Sequence, residues 1–410
     1  MMNDENKTFY GLPKEVKFCK KCVISNQRPS STIEFKSDSG EIKKVINFDD
    51  QGVCSACVFH DEKEKNIDWN DREKSLMDLL SRFKSNDGSY DVIIPGSGGK
   101  DSAFTAHILK YKYGMNPLTV TWAPHLYTDI GQKNFHEWMH TGGLDNMLYT
   151  PSGILHREMT RNAFLNLLHP FQPFIVGQRI IGPAMAKKFG VKLVMYGENQ
   201  AEYGNAIEDN KNPIMDMDFF STDDVTQMKF GGVTMNDYIA SGKYTLDDFA
   251  PYIAPSKEDL ISSGVEVHYL GYYLKWDPQE CYYYSVENTG FEANPDRTEG
   301  TYSKYSSIDD KIDPFHYYTT LAKFGIGRCT YDAAQEVRNG KITREEASYL
   351  VKKYDTEFPK KFFKEFIEYI GITENEFHET IDKFRSPHIW KKVDGDWKLR
   401  HTVYKDGVDD

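Results

Sequence analysis

From Val92 to Ser102 the chain reads VIIPGSGGKDS, an apolar strand running directly into Ser97-Gly98-Gly99-Lys100-Asp101-Ser102 and then into a helical pattern. Two adjacent glycines let the backbone take φ > 0 and approach a ligand closely, so that successive N–H groups form an anion-binding nest. Ser97 and Ser102 add hydroxyl donors and Lys100 a positive charge. The helix that follows turns its positive dipole end to the same spot. Such a loop suits a phosphate or a pyrophosphate. It lacks the spacer and the Gly-Lys-Ser/Thr ending of a Walker A loop, and it is not the G-x-G-x-x-G of dinucleotide sites. The plainer alternative, a turn that binds nothing, leaves six consecutive suitable residues unexplained. Asp101, at the junction of loop and helix, is placed to cap the helix or to hold Mg²⁺.

A second chemical signal lies upstream. Cys19-x-x-Cys22 and Cys54-x-x-Cys57 are separated by 31 residues, whereas Cys281 and Cys329 stand alone. Each CxxC turn offers two thiolates at the right bite for Zn²⁺, and four close the coordination shell, which describes a structural ion. Spacing alone leaves an iron–sulfur cluster open. His60, three residues past Cys57, is a further candidate ligand, with a surface histidine as the simpler reading.

These residues need elements to position them. Residues 1–70 read as a cysteine-framed zinc ribbon, with strands at 31–35 and 44–48 joined by the turn Ser37-Asp38-Ser39-Gly40. From residue 72 strands and helices alternate: helix 72–84, strand 91–95, helix 101–113, strand 117–122, helix 132–141, strand 146–149, helices 154–168 and 175–189, strand 191–196, and strand 266–270. This predicts an α/β fold with a doubly wound parallel sheet, whose ligands bind beyond the carboxyl ends of the strands. Ser97, Trp122 and Glu198 end three strands and are expected to share one cleft. Residues 200–262 are polar and Asp-rich, and read equally as a lid or as a surface excursion. The segment 271–335 is rich in aromatics, mostly for core and interface filling, and 343–391 is helical and amphipathic. The division that follows is a zinc-binding module at 1–70, an ATP-binding domain at 71–275 carrying the insertion 200–262, and a C-terminal substrate or partner region at 276–410.

A net charge of −12 without a basic run argues against a protein that grips nucleic acid. No apolar stretch reaches the length of a membrane span, and the start shows no apolar export core, so membrane insertion is not expected and a cytoplasmic location is. Glu198 and Asn199 follow the fourth strand of the series and face the cleft, with capping of the next turn as the alternative. Lys323-Phe324-Gly325-Ile326-Gly327-Arg328 brings Lys323 and Arg328 as cations for a triphosphate or a phosphorylated substrate; Asp309-Asp310-Lys311 just before it reads as a solvated turn. Neither Cys281 nor Cys329 sits in a nucleophile elbow and position 2 is Met, so no glutaminase is expected within the chain.

The loop resembles the PP-loop of ATP pyrophosphatases, which cleave ATP to AMP and pyrophosphate while adenylating a substrate oxygen. The wider set resembles the N-acetyl sugar amidotransferase family of bacterial surface-polysaccharide and flagellin-glycan biosynthesis. That set is Cys19-x-x-Cys22, the run Gly52 to Cys57, Ile93 to Ser102, Tyr196-Gly197-Glu198-Asn199, Gly271-Tyr272-Tyr273 with Trp276-Asp277, Lys323-Phe324-Gly325 with Gly327-Arg328, and Thr343-Arg344-Glu345-Glu346. The resemblance implies a Rossmann-like PP-loop sheet with an N-terminal zinc module and a mainly helical C-terminal region. It implies conversion of an acetamido group on a nucleotide-activated sugar to an acetamidino group, with ATP, Mg²⁺ and structural Zn²⁺. Ammonia would come from a separate glutaminase subunit, with a cyclase-like barrel as a further partner; a homo-oligomer stays open. On this reading Ser97, Gly98, Gly99, Lys100, Asp101 and Ser102 cradle pyrophosphate, Asp101 holds Mg²⁺, Lys323 and Arg328 steady phosphate charge, and Trp122 lies near the adenine. The alternative is a tRNA-thiolating PP-loop enzyme, which needs a basic surface and a sulfur-transferring cysteine near the cleft.

Overall fold

The computed structural model describes residues 7–205 and 212–404. Short strands, the inner ones mostly apolar, form its centre: β1 (Val92–Pro95), β2 (Pro117–Trp122), β3 (Asp145–Tyr149), β4 (Leu193–Tyr196) and, after a small ladder of β5 (Lys229–Phe230) with β6 (Val233–Thr234), β7 (Glu266–Tyr269). The five long-range strands pair in parallel in the order β3-β2-β1-β4-β7. The chain therefore builds outward from β1 and then returns to lay β4 on its other side. This reversal leaves a crevice between the carboxyl ends of β1 and β4, where open α/β sheets bind ligands.

The period-two alternation of strand side chains divides the apolar residues between two cores. Val92, Ile94, Leu193 and Met195 face α2 (Trp69–Phe83), α3 (Lys100–Tyr111) and α4 (Asp129–His140). Ile93, Leu118, Val120, Val194 and Val267 face α5 (Gly153–Leu167) and α6 (Gln172–Phe189). The strand and helix expectations for this domain are met within a few residues, and β2 matches end for end.

Three expectations change. The residues 31–35 and 44–48 do not pair as a hairpin: Glu34–Lys36 is a 3-10 turn whose Phe35 is buried in the α5/α6 core, and only an isolated Pro29–Val45 bridge remains. Within the insertion, residues 206–211 lie outside the described residues. The rest is neither lid nor excursion, because Phe220, Phe230, Tyr238, Phe249 and Tyr252 are buried on the α5/α6 face. A C-terminal hairpin, β8 (Trp390–Val393) with β9 (Asp396–Leu399), was not expected from the sequence. Among the described residues no helix is long and apolar enough to cross a membrane.

The cysteine module docks on the C-terminal helices. Cys19, Cys22, Cys54 and Cys57 share a core with Ile326, Cys329, Ala333, Ala334, Ala347 and Val351. Its helix α1 (Ser55–Lys65) is tied to the 3-10 turn Gln200–Tyr203 that follows β4 by a buried ion pair, Lys63 Nζ to Glu202 at 2.7 Å.

Candidate functional site

The loop after β1 is shaped by its glycines. Gly98 has φ = +82°, and a Cβ there would lie 2.9 Å from Phe135 Cα and 3.0 Å from the Asn134 carbonyl oxygen. Gly99 instead sits in ordinary extended conformation as the N-cap of α3, so one glycine and not two supplies the left-handed turn. Gly96 N–H donates to Val120 O at 3.0 Å and Ala103 N–H to Gly99 O at 2.9 Å. Between them, the N–H groups of residues 97–102 donate to no acceptor among the described residues. That is the donor row an anion needs at a helix start. Ser102 Oγ donates to Gly99 O at 3.0 Å and fixes the turn.

Two adjoining cavities lie at this row. The smaller, about 60 Å³, is lined by Ser97, Gly98, Gly99 and Asp309. The larger, about 320 Å³, adds Glu198, Tyr203, Trp276, Tyr317 and Arg328. Lys100, Asp101, Ser306 and Ser307 border both. Lys100 donates to Asp101, whose other oxygen accepts from Trp276 Nε1 at 3.2 Å. Burial works against the Lys100 ammonium, yet Asp101 and Glu198 beside it outweigh burial and hold its pKa above the usual lysine value. For Glu198, burial first and repulsion from Asp101 second push the pKa up to about 7. A carboxyl poised there exchanges a proton near neutrality.

Sequence-derived candidates separate into those that meet and those that do not. Ser97, Gly98, Gly99, Lys100, Asp101 and Glu198 converge on the two cavities, and Arg328 borders the larger one. Arg328 is 4% exposed and already engaged, with Nε 3.2 Å from Asp332, Nη1 3.3 Å from Asp313, and its guanidinium over the Tyr317 ring. Asn199 takes the capping role: its side chain accepts from Ala201 N–H. Trp122 is a correction. It is 2% exposed in the core against Gly177, Tyr149 and Tyr252, and lines neither cavity, because the last residue of β2 points toward α6. Lys323 is another. It lies buried beside the Tyr10 and Phe324 rings and donates to Leu167 O at 2.9 Å, and burial lowers its pKa to about 7.

The segment Asp309-Asp310-Lys311 is no solvated turn. Asp310 accepts from His125 N–H and Nδ1, both at 2.7 Å, and Asp309 faces Ser97 across the small cavity. Residues without a sequence signal complete the larger cavity: Arg28, Tyr203, His316 and Arg338.

The four cysteines form a second site behind the cavity wall. Their sulfurs lie within 4.8 Å of one another, with Cys19–Cys57 at 3.9 Å and Cys22–Cys54 at 3.7 Å. A single tetrahedral ion with metal–sulfur bonds of about 2.3 Å sets such edges at about 3.8 Å, so the donor set fits one closed-shell ion. His60 is outside the group. Arg344 Nε donates to the carbonyls of Cys19 and Cys22 at 3.3 and 3.2 Å, which bolts the first knuckle to the C-terminal helices.

Comparison with known proteins gives distant matches and one domain match. The chain is 32% identical over 82 residues to the uncharacterized protein MJ1599 of Methanocaldococcus jannaschii, which is 20% of this chain and 29% of that protein's length. Among solved structures it resembles the NH3-dependent NAD synthetase of Campylobacter jejuni (16% identity, TM-score 0.28, 33% of this chain and 59% of that one). It also resembles the NMN synthetase of Francisella tularensis (14%, 0.30, 71% and 94%). A third likeness is to the U34-tRNA thiolase NcsA of Methanococcus maripaludis with its 4Fe-4S cluster (14%, 0.31, 82% and 88%). The helices that bring Arg328, Arg338 and Arg344 to the cavity and the metal module fall in the matched segment: residues 299–404 match the model of the C-terminal domain of WbpG-like lipopolysaccharide (LPS) biosynthesis proteins.

Proposed function

We propose that this chain is an ATP-dependent, AMP-forming amidotransferase that converts the acetamido group of a nucleotide-activated sugar to an acetamidino group in bacterial surface-glycan biosynthesis. The observation that carries the reading is the row of free amide donors at 97–102, with Lys100 and Asp101 bordering both a phosphate-sized cavity and a larger one containing Glu198. The lipopolysaccharide-biosynthesis domain at 299–404 supports the glycan context.

An amide oxygen is a poor leaving group, and adenylation makes it a good one. The loop amides and the Ser97 hydroxyl hold the β- and γ-phosphates, with Lys100 opposing their charge, while Ser102 fixes the turn that presents those amides. The amide oxygen then forms a bond to the α-phosphorus as the bond to pyrophosphate breaks. This step is mostly positioning and electrostatics. Asp101 retains unused lone pairs beyond its bonds to Lys100 and Trp276, which suits Mg²⁺; bound there, the ion would supply charge neutralisation for a departing diphosphate. Ammonia next bonds to the imidate carbon, the carbon–oxygen bond to AMP breaks, and Glu198 accepts a proton from the attacking nitrogen. Ammonia would be delivered by a separate glutaminase subunit, with a cyclase-like barrel as a further partner. The four-thiolate set would hold a structural Zn²⁺; an iron–sulfur cube spreads its thiolates over separate irons, farther apart than the sulfurs here.

The tRNA-thiolating alternative gains no support from Cys281, which is 2% exposed, lines neither cavity, and has its thiol pushed up by burial. The test is direct. Full-length protein with ATP, Mg²⁺ and ammonium should release AMP and pyrophosphate with a UDP- or CMP-linked N-acetyl sugar and yield the amidine by mass spectrometry. Asp101→Ala should abolish both while folding normally. AMP release with tRNA and with none of the sugars would overturn the assignment.

A further inference from the structure

Lys100, Arg328, Arg28 and Arg338 line the larger cavity, and they differ in how they are answered. Lys100 is matched by Asp101, and Arg328 by Asp332 and Asp313. Arg28 and Arg338 have no carboxylate within ion-pair distance among the described residues. Arg338 donates through Nη2 to the Glu202 carbonyl at 3.1 Å, while the Glu202 carboxylate is taken by Lys63. Arg28 is 9% exposed, its Nη1 is buried without a hydrogen-bond partner, and its guanidinium lies 5.5 Å from the centre of the Tyr331 ring. The two guanidiniums are close enough to lower the stability of charge on Arg28. His316, on the same wall, has an Nδ1 with no partner.

Removing an arginine from water without a counter-charge is expensive, and placing a second beside it adds repulsion. Arg338 is answered in part by the neighbouring cysteine sulfurs and Glu202, which hold its pKa up against burial, whereas Arg28 keeps a buried Nη1 with no partner beside that second guanidinium, a pairing suited to receiving an anion from the cavity. The pyrophosphate of ATP already has a receptor in the loop amides. We infer that Arg28 and Arg338, with the Tyr331 ring, hold the phosphate or diphosphate of the second, nucleotide-linked substrate in the larger cavity. This rests on the proposed function for the identity of that substrate, but the anion receptor itself rests on the buried, unpartnered Arg28 Nη1 with Arg338 beside it on the cavity lining. The consequence is specific. The cysteine module contributes a substrate-binding residue, since Arg28 lies between its two CxxC pairs and Ile24, Ile46 and Ala56 from the same module line the same cavity.

The experiment is calorimetric binding of UDP and, separately, CMP to the full chain saturated with a non-hydrolysable ATP analogue, with Arg28→Gln and Arg338→Gln as variants. At least one nucleotide should bind, and Arg28→Gln should weaken it about tenfold or more, the scale of one charge-assisted hydrogen bond, while affinity for the ATP analogue stays unchanged. The ligand-free Arg28→Gln protein should melt no lower than wild type, because it loses an uncompensated charge and no partner. Unchanged UDP and CMP affinity in both variants would overturn the inference. So would a loss that falls on the ATP analogue, or failure of both nucleotides to bind wild type while the analogue binds. Failure of the analogue itself to bind wild type would instead refute the proposed function. Should Arg28→Gln not fold, the same readings apply to Arg338→Gln.

Discussion

Glu198 lets the electrostatics of the site be tested without knowing the sugar. Its carboxyl titrates from an ordinary value of 4.5 when unfolded to about 7 in the native cavity, chiefly through burial and then through Asp101. At about 1.4 kcal/mol per pKa unit the ceiling on its destabilisation is about 3 kcal/mol; because the side chain is only half-buried and borders a cavity, screening reduces this to about 1–2 kcal/mol. The sign follows from proton counting. Between the two pKa values the native state binds more protons than the unfolded one, so stability falls as pH rises through this window. Glu198→Gln, neutral at every pH, should therefore stabilise the protein most above about pH 7 and give a gain that shrinks toward zero near pH 4.5. For a chain of this length 1–2 kcal/mol corresponds to about 1–2 °C in melting temperature. Scanning calorimetry of both proteins at about pH 8 and about pH 5 reads the difference directly. The same variant should lose AMP formation at every pH. A melting difference equal at both pH values, or larger at the acid one, would refute the placement of Glu198 beside Asp101 as a protonatable pair.

Other expectations are simpler to state. Gly98→Ala must hold φ = +82° with a Cβ 2.9 Å from Phe135 Cα, a left-handed cost of about 1–2 kcal/mol plus crowding of similar size. The loop should shift and ATP affinity should fall at least about tenfold, as checked by calorimetric titration. Lys323→Met should leave AMP formation intact, since Lys323 lines neither cavity. With a native pKa of about 7 against 10.5 unfolded, Lys323 binds fewer protons when folded, so wild-type stability recovers as pH rises through that range. The Met variant's advantage in urea denaturation should accordingly be larger at about pH 6.5 than at about pH 9.5. Cys57→Ser should lower metal content from one zinc per chain and destabilise the protein by several kcal/mol, by metal analysis and thermal melting, given the ~10–16 kcal/mol that a structural zinc site contributes; visible iron–sulfur absorption in the wild type would refute the zinc assignment.

What could be read in advance was what is written locally. The run from Val92 to Ser102 carries its strand, its turn and its helix start within eleven letters, and the structure keeps all three. The hairpin β8–β9 was equally local: Val393-Asp394-Gly395-Asp396 has positive φ at Asp394 (54°) and Gly395 (90°), the turn that an Asp-Gly pair favours, but the sequence reading stopped with the helical segment at 391 and gave the turn no element. Alternation in Ile33 to Phe35 suggested a strand, but tertiary burial of Phe35 against α6 outweighed a weak local preference. Trp122 and Lys323 failed for one reason: being at the end of a strand or beside a glycine says where a backbone lies, and leaves open which side its side chain takes. Arg28, Tyr203 and Arg338 meet only across separations of more than a hundred residues, and nothing near any of them in sequence announces it.

A chain of contacts joins the metal module to the reacting end of the cavity, and it argues that the cysteine site has a positional task. The thiolates fix the start of α1, since Cys54 is its N-cap and Cys57 lies in its first turn. From α1, Lys63 Nζ reaches the Glu202 carboxylate at 2.7 Å and the Trp276 carbonyl at 3.0 Å, all in a buried setting. Trp276 in turn donates its indole N–H to Asp101. A buried ion pair adds little net stability once desolvation is counted, but removing one partner is costly, so such a pair holds geometry better than it holds the fold together. Through Lys63 and Trp276 the module sets the direction of the Asp101 carboxylate, and through Arg28 it supplies a wall of the larger cavity. An ion that never touches the substrate would thus govern both the orientation of the proposed magnesium ligand and the shape of the substrate chamber. On these contacts, releasing it should disable adenylation before it unfolds the parallel sheet, whose own cores contain none of the four cysteines.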